Sequence, residues 1–162
     1  MRARRIECKG AEIMKRQAWK RMQAWLLVVA MLVSVVTGIG TTKTAKAATK
    51  MGVTYTVHVQ TYGDQQGWVH DDTMAGTKGQ AKRLEEIRVK LTGDEYSGSI
   101  QYKTHIQSYG WQDWSYNGEK SGSRGQAKRL EGIEIQLTGE VAKHYDVVYR
   151  VHCQTYGWMD WV

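Results

Sequence analysis

One run of residues, Tyr102-Lys-Thr-His-Ile-Gln-Ser-Tyr-Gly-Trp-Gln-Asp-Trp114, occurs three times, and its copies begin at Tyr55, Tyr102 and Tyr149. The spacing is 47 residues both times, so His58, His105 and His152 are equivalent. A fixed period of this length marks a repeat architecture, in which one supersecondary unit cannot bury its apolar face alone and its neighbours complete the core. A second landmark, Gly79-Gln-Ala-Lys-Arg-Leu-Glu-Glu-Ile87, returns as Gly125-Gln-Ala-Lys-Arg-Leu-Glu-Gly-Ile133 at an offset of 46. Copy one has therefore gained a residue between Gly63 and Gly76 and lost one after Gly93, which marks both places as loops. The gain replaces Gly110-Trp111-Gln-Asp-Trp114 by Gly63-Asp64-Gln-Gln-Gly-Trp68, so copy one lacks the first tryptophan.

The net charge of +7 suggests a nucleic-acid partner only until the charges are located. Residues 1–47 hold 10 of the 23 Lys and Arg and 2 of the 16 acids, which leaves residues 48–162 with 13 basic and 14 acidic side chains. A basic phosphate-binding face loses its support. The leader has the order of a secretory signal: a basic segment over 1–24, an apolar run over 26–36, and small residues at Ala45 and Ala47. The run is shorter than the roughly 20 residues of a membrane span. The reading is a signal-peptide helix within 1–47, cleavage before Ala48, a secreted or cell-surface product, and membrane contact only before cleavage. Cys8 would leave with the leader. Cys153 stands where Val59 and Ile106 stand in the other copies, so it reads as a small buried hydrophobe.

Residues 48–162 read as an all-β domain, with repeats over 53–99 and 100–146 and an incomplete third over 147–162. Val53, Tyr55, Val57 and Val59 alternate with Thr54, Thr56, His58 and Gln60, the period of a half-buried strand. Ile100, Tyr102, Thr104 and Ile106, and Val147, Tyr149, Val151 and Cys153, repeat the inward set. A short tryptophan-bearing strand follows Gly63, Gly110 and Gly157 and closes a hairpin. Each full unit ends in a strand with Glu85, Ile87, Val89 and Leu91, or Glu131, Ile133, Ile135 and Leu137, pointing inward. The run over 79–85 has helix-favouring composition, but the β-branched alternation after it favours a loop entering a strand. Three equivalent units predict a pseudo-threefold β-prism or β-trefoil, with a linear stack as the alternative. The third unit, lacking its last strand, leaves an open edge around Val151, Cys153 and Tyr156, through which the chain could self-associate.

Five tryptophans and nine tyrosines, with no phenylalanine, fill residues 48–162. Trp and Tyr combine an apolar face with a polar handle and suit surfaces that meet sugar rings. Tyr55, Tyr102 and Tyr149 read as core; for Trp111 and Trp158, packing and ligand contact stand level. The candidate ligand-binding set is Trp68, Trp111, Gln112, Asp113, Trp114, Trp158, Asp160 and Trp161. The pairs His58/Gln60, His105/Gln107 and His152/Gln154 share a strand face and could hold a metal, but a repeat triplicates any structural histidine. With Arg83, Glu85, Arg129 and Glu131 they read as a structural network, Glu85 and Glu131 being buried carboxylates that need a partner. Paired carboxylates for glycoside cleavage are the minor alternative. No phosphate loop, zinc spacing or nucleophile motif occurs, so the reading is no enzyme, no metal and no cofactor.

Together, the His-x-Gln strand, Tyr-Gly-Trp-x-x-Trp, the small-Gly-small turn and Gly-x-x-x-Arg-Leu-Glu-x-Ile-x-Ile-x-Leu resemble the clostridial hydrophobic repeats named for their tryptophan, the ChW repeats. The resemblance spans essentially residues 53–162. It implies a secreted Gram-positive protein whose repeats accompany extracellular enzymes or adhesion modules. It also implies a noncatalytic binding role towards carbohydrate of the cell envelope or of polysaccharide, or towards secreted and cell-surface proteins. Copy one departs from the pattern at Asp64 and Gly67.

Overall fold

Alternating apolar residues make each strand, and the strands come in the order the repeats dictate. The computed structural model describes residues 2–8 and 47–162. The strands are β1 (Arg2–Cys8), β2 (Gly52–Val59), β3 (Val69–His70), β4 (Leu84–Thr92), β5 (Ser99–Ile106), β6 (Gly110–Trp111), β7 (Ser115–Tyr116), β8 (Ser121–Gly122) and β9 (Leu130–Thr138). One helical turn, α1 (Val141–His144), leads into β10 (Tyr145–Arg150), β11 (His152–Cys153) and β12 (Gly157–Trp158). The chain is thus mostly β in tandem repeats, with α1 the one departure from the all-β expectation among the described residues. Val141 anchors that turn: it is fully buried, and its amide donates to the Ser97 carbonyl at 2.9 Å. No described helix is long and apolar enough to cross a membrane. The signal-peptide helix, the apolar run over 26–36 and Ala45 lie outside the described residues.

Repeats one and two are built alike. β2 pairs antiparallel with β4, placing Val53, Tyr55 and Val57 opposite Leu91, Val89 and Ile87. β5 pairs with β9 so that Ile100, Tyr102 and Thr104 meet Leu137, Ile135 and Ile133. Such directly opposed side chains contribute about 0.2–1 kcal/mol each, beyond the roughly 1.5–3 kcal/mol of burying a large apolar side chain. In both sheets a bulge falls at the same place. His58 and Val59 face Glu86 and Leu84, and His105 and Ile106 face Gly132 and Leu130, so Glu85 and Glu131 are the extra residues. The run from 79 is a loop that enters β4 at Leu84, as expected. Its backbone turns left-handed at Ala81 (φ 50°), as it does at Ala127 (φ 56°), which a helix cannot accommodate.

The two repeats differ at the outer edge of the last strand. β8, from repeat two, pairs with β4 of repeat one and sets Gly122 opposite Glu86 and Ser121 opposite Ile87. The approach demands glycine: at φ 141°, a Cβ on Gly122 would lie 2.3 Å from the Glu85 carbonyl oxygen. The first sheet therefore runs β3-β2-β4-β8, whereas among the described strands β9 pairs only with β5. Consequently Glu85 is buried and Glu131 is exposed, against the expectation that both would be inside. Among the described residues no strand lies along β9 as β8 lies along β4.

Repeat three departs most. β10 carries the equivalent of the first long strand, and Arg2–Cys8 pairs with it antiparallel, Ala3 opposite Tyr149 and Cys8 opposite Tyr145. The edge expected to be open is paired in the intact chain. Val147, Tyr149, Val151 and Cys153 are half-buried, not enclosed. Tyr149 and Val162 exchange two backbone hydrogen bonds of 2.9 and 3.0 Å, the same bridge that Tyr102 makes with Ser115 and Tyr55 with Val69. Tyr156 sits on the hairpin turn and points to solvent.

Candidate functional site

The strand tyrosines and the turn tyrosines of this fold have opposite environments. Tyr55 and Tyr102 are fully buried, and their hydroxyls donate to the carbonyls of Thr73 and Glu119. Tyr149 donates to the Ile133 carbonyl at 3.2 Å. Burial raises the Tyr102 and Tyr149 phenols above the usual range, since the phenolate would lose its hydration. Seven residues later in each copy comes the tyrosine of the Tyr-Gly turn, and Tyr62, Tyr109 and Tyr156 are 38%, 53% and 82% exposed. Sequence reasoning missed this second set as site residues. The usable signal was their place after the last alternating strand residue, where nothing remains to pack against. Lys82 stands 5.7 Å over the Tyr62 ring and hydrogen-bonds Thr61 Oγ1, as Lys128 stands 5.8 Å over Tyr109 and bonds Ser108 Oγ.

The tryptophans carry cations of their own chain. Lys103 lies over Trp111 at 5.0 Å and over Trp114 at 4.9 Å; Arg150 lies over Trp158 at 4.7 Å and Trp161 at 4.6 Å. Each cation shares the outward strand face with the histidine two residues on. The edges of Trp111 and Trp158 meet His105 and His152 at ring distances of 5.5 and 5.4 Å. Repeat one has Thr56 in place of the cation and Asp64 in place of the first tryptophan, so cation and indole are lost together. Trp68 instead receives Lys90 at 4.4 Å. Attraction of the cation to the ring quadrupole, about 0.5–1 kcal/mol at exposed sites, gives these faces a structural occupant. Trp111 remains exposed with Asp113 beside it, and Gln112 folds back so that its Nε2 donates to the Gly110 carbonyl at 3.0 Å. Asp160 is exposed, while Trp114, Trp158 and Trp161 are half-buried.

The histidines and carboxylates are brought together. Arg83 Nε donates to Glu85 at 2.8 Å, Gly125 N donates to its other oxygen at 3.0 Å, and His58 Nε2 stands 3.9 Å away. In repeat two, Arg129 and His105 approach Glu131 at 2.7 and 3.3 Å. His58 also bonds Asp64 at 3.0 Å, and Arg124 of repeat two pairs with the same carboxylate. Arg124, then His58, holds Asp64 below the usual carboxylate range. Glu86, which the sequence did not mark, is equally buried and is met by Arg88 at 2.8 Å and Arg124 at 3.5 Å. The backbones of Gln60 and Gln107 bond the Arg83 and Arg129 carbonyls, and Gln154 is exposed.

Among the described residues, no three His, Cys, Asp or Glu are grouped to hold a metal ion. Cys153 is a free, half-buried thiol. No curated protein and no solved structure matches this chain. The family model described as Clostridial hydrophobic W matches residues 58–93 and 105–139. Each matched stretch runs from the outward histidine, through the aromatic hairpin and the Arg-Glu bulge, to the glycine that ends the last long strand. The chain carries two ChW repeats in tandem.

Proposed function

We propose that this protein is an exported, noncatalytic repeat module that binds extracellular carbohydrate of a cell envelope or polysaccharide. One observation carries the reading: each repeat holds a turn tyrosine at the surface, while the strand tyrosines Tyr55 and Tyr102 are fully buried and Tyr149 is half-buried. An aromatic ring kept wet three times over suits stacking on a sugar's C–H face while its hydroxyl meets the edge. A noncatalytic role is supported by the pairing of Glu85 and Glu131 with Arg83 and Arg129. A glycan array with the wild type and the Tyr109→Ala, Trp111→Ala and Trp158→Ala variants tests binding. Retention of every glycan signal by all three variants would remove the aromatic surface from the proposal. Export predicts that secreted material begins at or near Ala48 by N-terminal sequencing; an intact leader in the membrane fraction would replace secretion by anchoring.

Docking of other secreted proteins is the second reading, favoured by the exposed pair Tyr156 and Met159 on repeat three. A flexible thioether beside an aromatic ring adapts to protein surfaces. We also propose that the three units are related by rotation, as in a β-prism or β-trefoil. Spin labels at positions 60, 107 and 154, in a Cys8→Ser, Cys153→Val background, give three similar distances for rotation. A linear stack makes the 60–154 distance about twice the others.

A further inference from the structure

The residue that repeat one gains between Gly63 and Gly76 accompanies a cleft of about 270 Å³. Val57 and Val59 form its floor, Tyr62 a wall, and Gln65, Thr77 and Gln80 its rim. We propose that this cleft is a subsite for one neutral pyranose ring, an inference that rests on the carbohydrate reading and gives it a place. The size is below the roughly 300–1,000 Å³ of pockets for drug-sized ligands and suits a single ring. No charged side chain lines it, which selects against uronic acids and phosphosugars. Asp64, the nearest acid in the turn, is held by Arg124 and His58.

The polar groups fit hydroxyls. A primary amide both donates and accepts, as a sugar hydroxyl does, and the Gln65 and Gln80 amides have no hydrogen-bond partner among the described residues. Gln66 is used differently: its Oε1 accepts from Gly76 N at 2.5 Å and its Nε2 donates to Gly76 O at 3.3 Å. That pair of hydrogen bonds ties the enlarged turn to the opposite loop and fixes the rim before any ligand arrives. Preorganisation of this kind lowers the entropy lost on binding. The valine floor and tyrosine wall then offer an apolar face to ring C–H groups.

Calorimetric titration of the purified protein with a β-glucan hexasaccharide, an N-acetylglucosamine hexasaccharide and a galacturonate hexasaccharide tests the subsite and separates the two neutral sources. At least one neutral oligomer should bind saturably, with the uronate weaker. Tyr62→Ala and Gln80→Ala, both at exposed positions and checked for unchanged near-UV circular dichroism, should each weaken that binding about tenfold, the loss of roughly 1.4 kcal/mol. Neutral binding that survives both changes but disappears in Trp111→Ala and Trp158→Ala would overturn the cleft and leave the binding function standing. Absence of saturable binding to any glycan by the wild type would overturn both. Uronate binding that depends on Gln80 would overturn the neutral class.

Discussion

β4 and β9 share five of nine residues and the same apolar pattern, Leu-Glu-Glu-Ile-Arg-Val-Lys-Leu-Thr and Leu-Glu-Gly-Ile-Glu-Ile-Gln-Leu-Thr, yet one is interior and the other is an edge. Ile87 and Val89 are 1% exposed; Ile133 and Ile135 are half-buried. The difference is the neighbour, because β8 of repeat two lies along β4 and no described strand does the same for β9. In a tandem array, burial belongs to the interface as much as to the repeat, and equivalent residues have unequal energetic roles.

The largest expected effect is at the isoleucines. Ile87→Ala should cost about 3–4 kcal/mol, within the range for a fully buried truncation, whereas Ile133→Ala should cost about half as much because its site is already partly wet. Urea denaturation of both variants reads the gap, and equal costs would mean that β8 protects nothing. The bulge carboxylates come next. Glu85→Ala removes a buried carboxylate from Arg83 and the Gly125 amide, both within reach of water, and should cost about 1–3 kcal/mol, while Glu131→Ala should cost under about 1 kcal/mol. A thermal melt in which the two variants shift alike would break the comparison.

Third comes the glycine that lets β8 approach. Gly122→Ala drives a methyl into the Glu85 backbone and should cost about 1–3 kcal/mol. Its counterpart Gly76 would meet only the Leu84 side chain, 3.0 Å away and able to turn, so Gly76→Ala should cost less despite its positive φ. Hydrogen exchange at Ile87 and Val89 distinguishes undocking of β8 from global loss: faster exchange confined to β4 is the expected result for Gly122→Ala.

Much of this was legible in the sequence, and the limit is instructive. Period-two alternation gave β2, β5 and their inward tyrosines, because a strand's two faces are written directly in its residues. Whether Glu131 is covered was not legible, since that depends on a loop from another repeat. The bulge hid for a similar reason: Glu85 and Ile87 look in register on one strand and become distinct only when paired with His58 and Val59. Glu86, unmarked in the sequence, is buried because Arg124 and β8 arrive from repeat two. The cation–indole contacts were within reach, for Lys103 and Arg150 lie two residues from His105 and His152 and vanish together with the first tryptophan in repeat one. Pairing of Arg2–Cys8 with β10 had no signal in the periodicity used, which begins at Tyr55.

The smallest effect separates the repeats by pH. Where His105 meets the indole of Trp111, His58 meets Asp64, and Asp64 also joins the repeats through Arg124. Because the folded state lowers this carboxyl below its ordinary 3.8, the stability it contributes is present above that value and is lost as pH falls through the lower folded value. Both partners are well exposed, so screening keeps the contribution to about 1 kcal/mol or less at neutral pH. Asp64→Asn should therefore be slightly less stable than the wild type at pH 7, and the gap should close as pH falls through the lowered folded value of the Asp64 carboxyl. Arg124→Ala should abolish most of the same difference, since the guanidinium is the larger cause of the shift. Urea midpoints measured from pH 2 to pH 7 provide the check: if wild type and Asp64→Asn keep a constant separation down the acid limb, the Asp64 carboxylate does not hold the two repeats together, and the link rests on β8 and the contacts of Glu85 and Glu86.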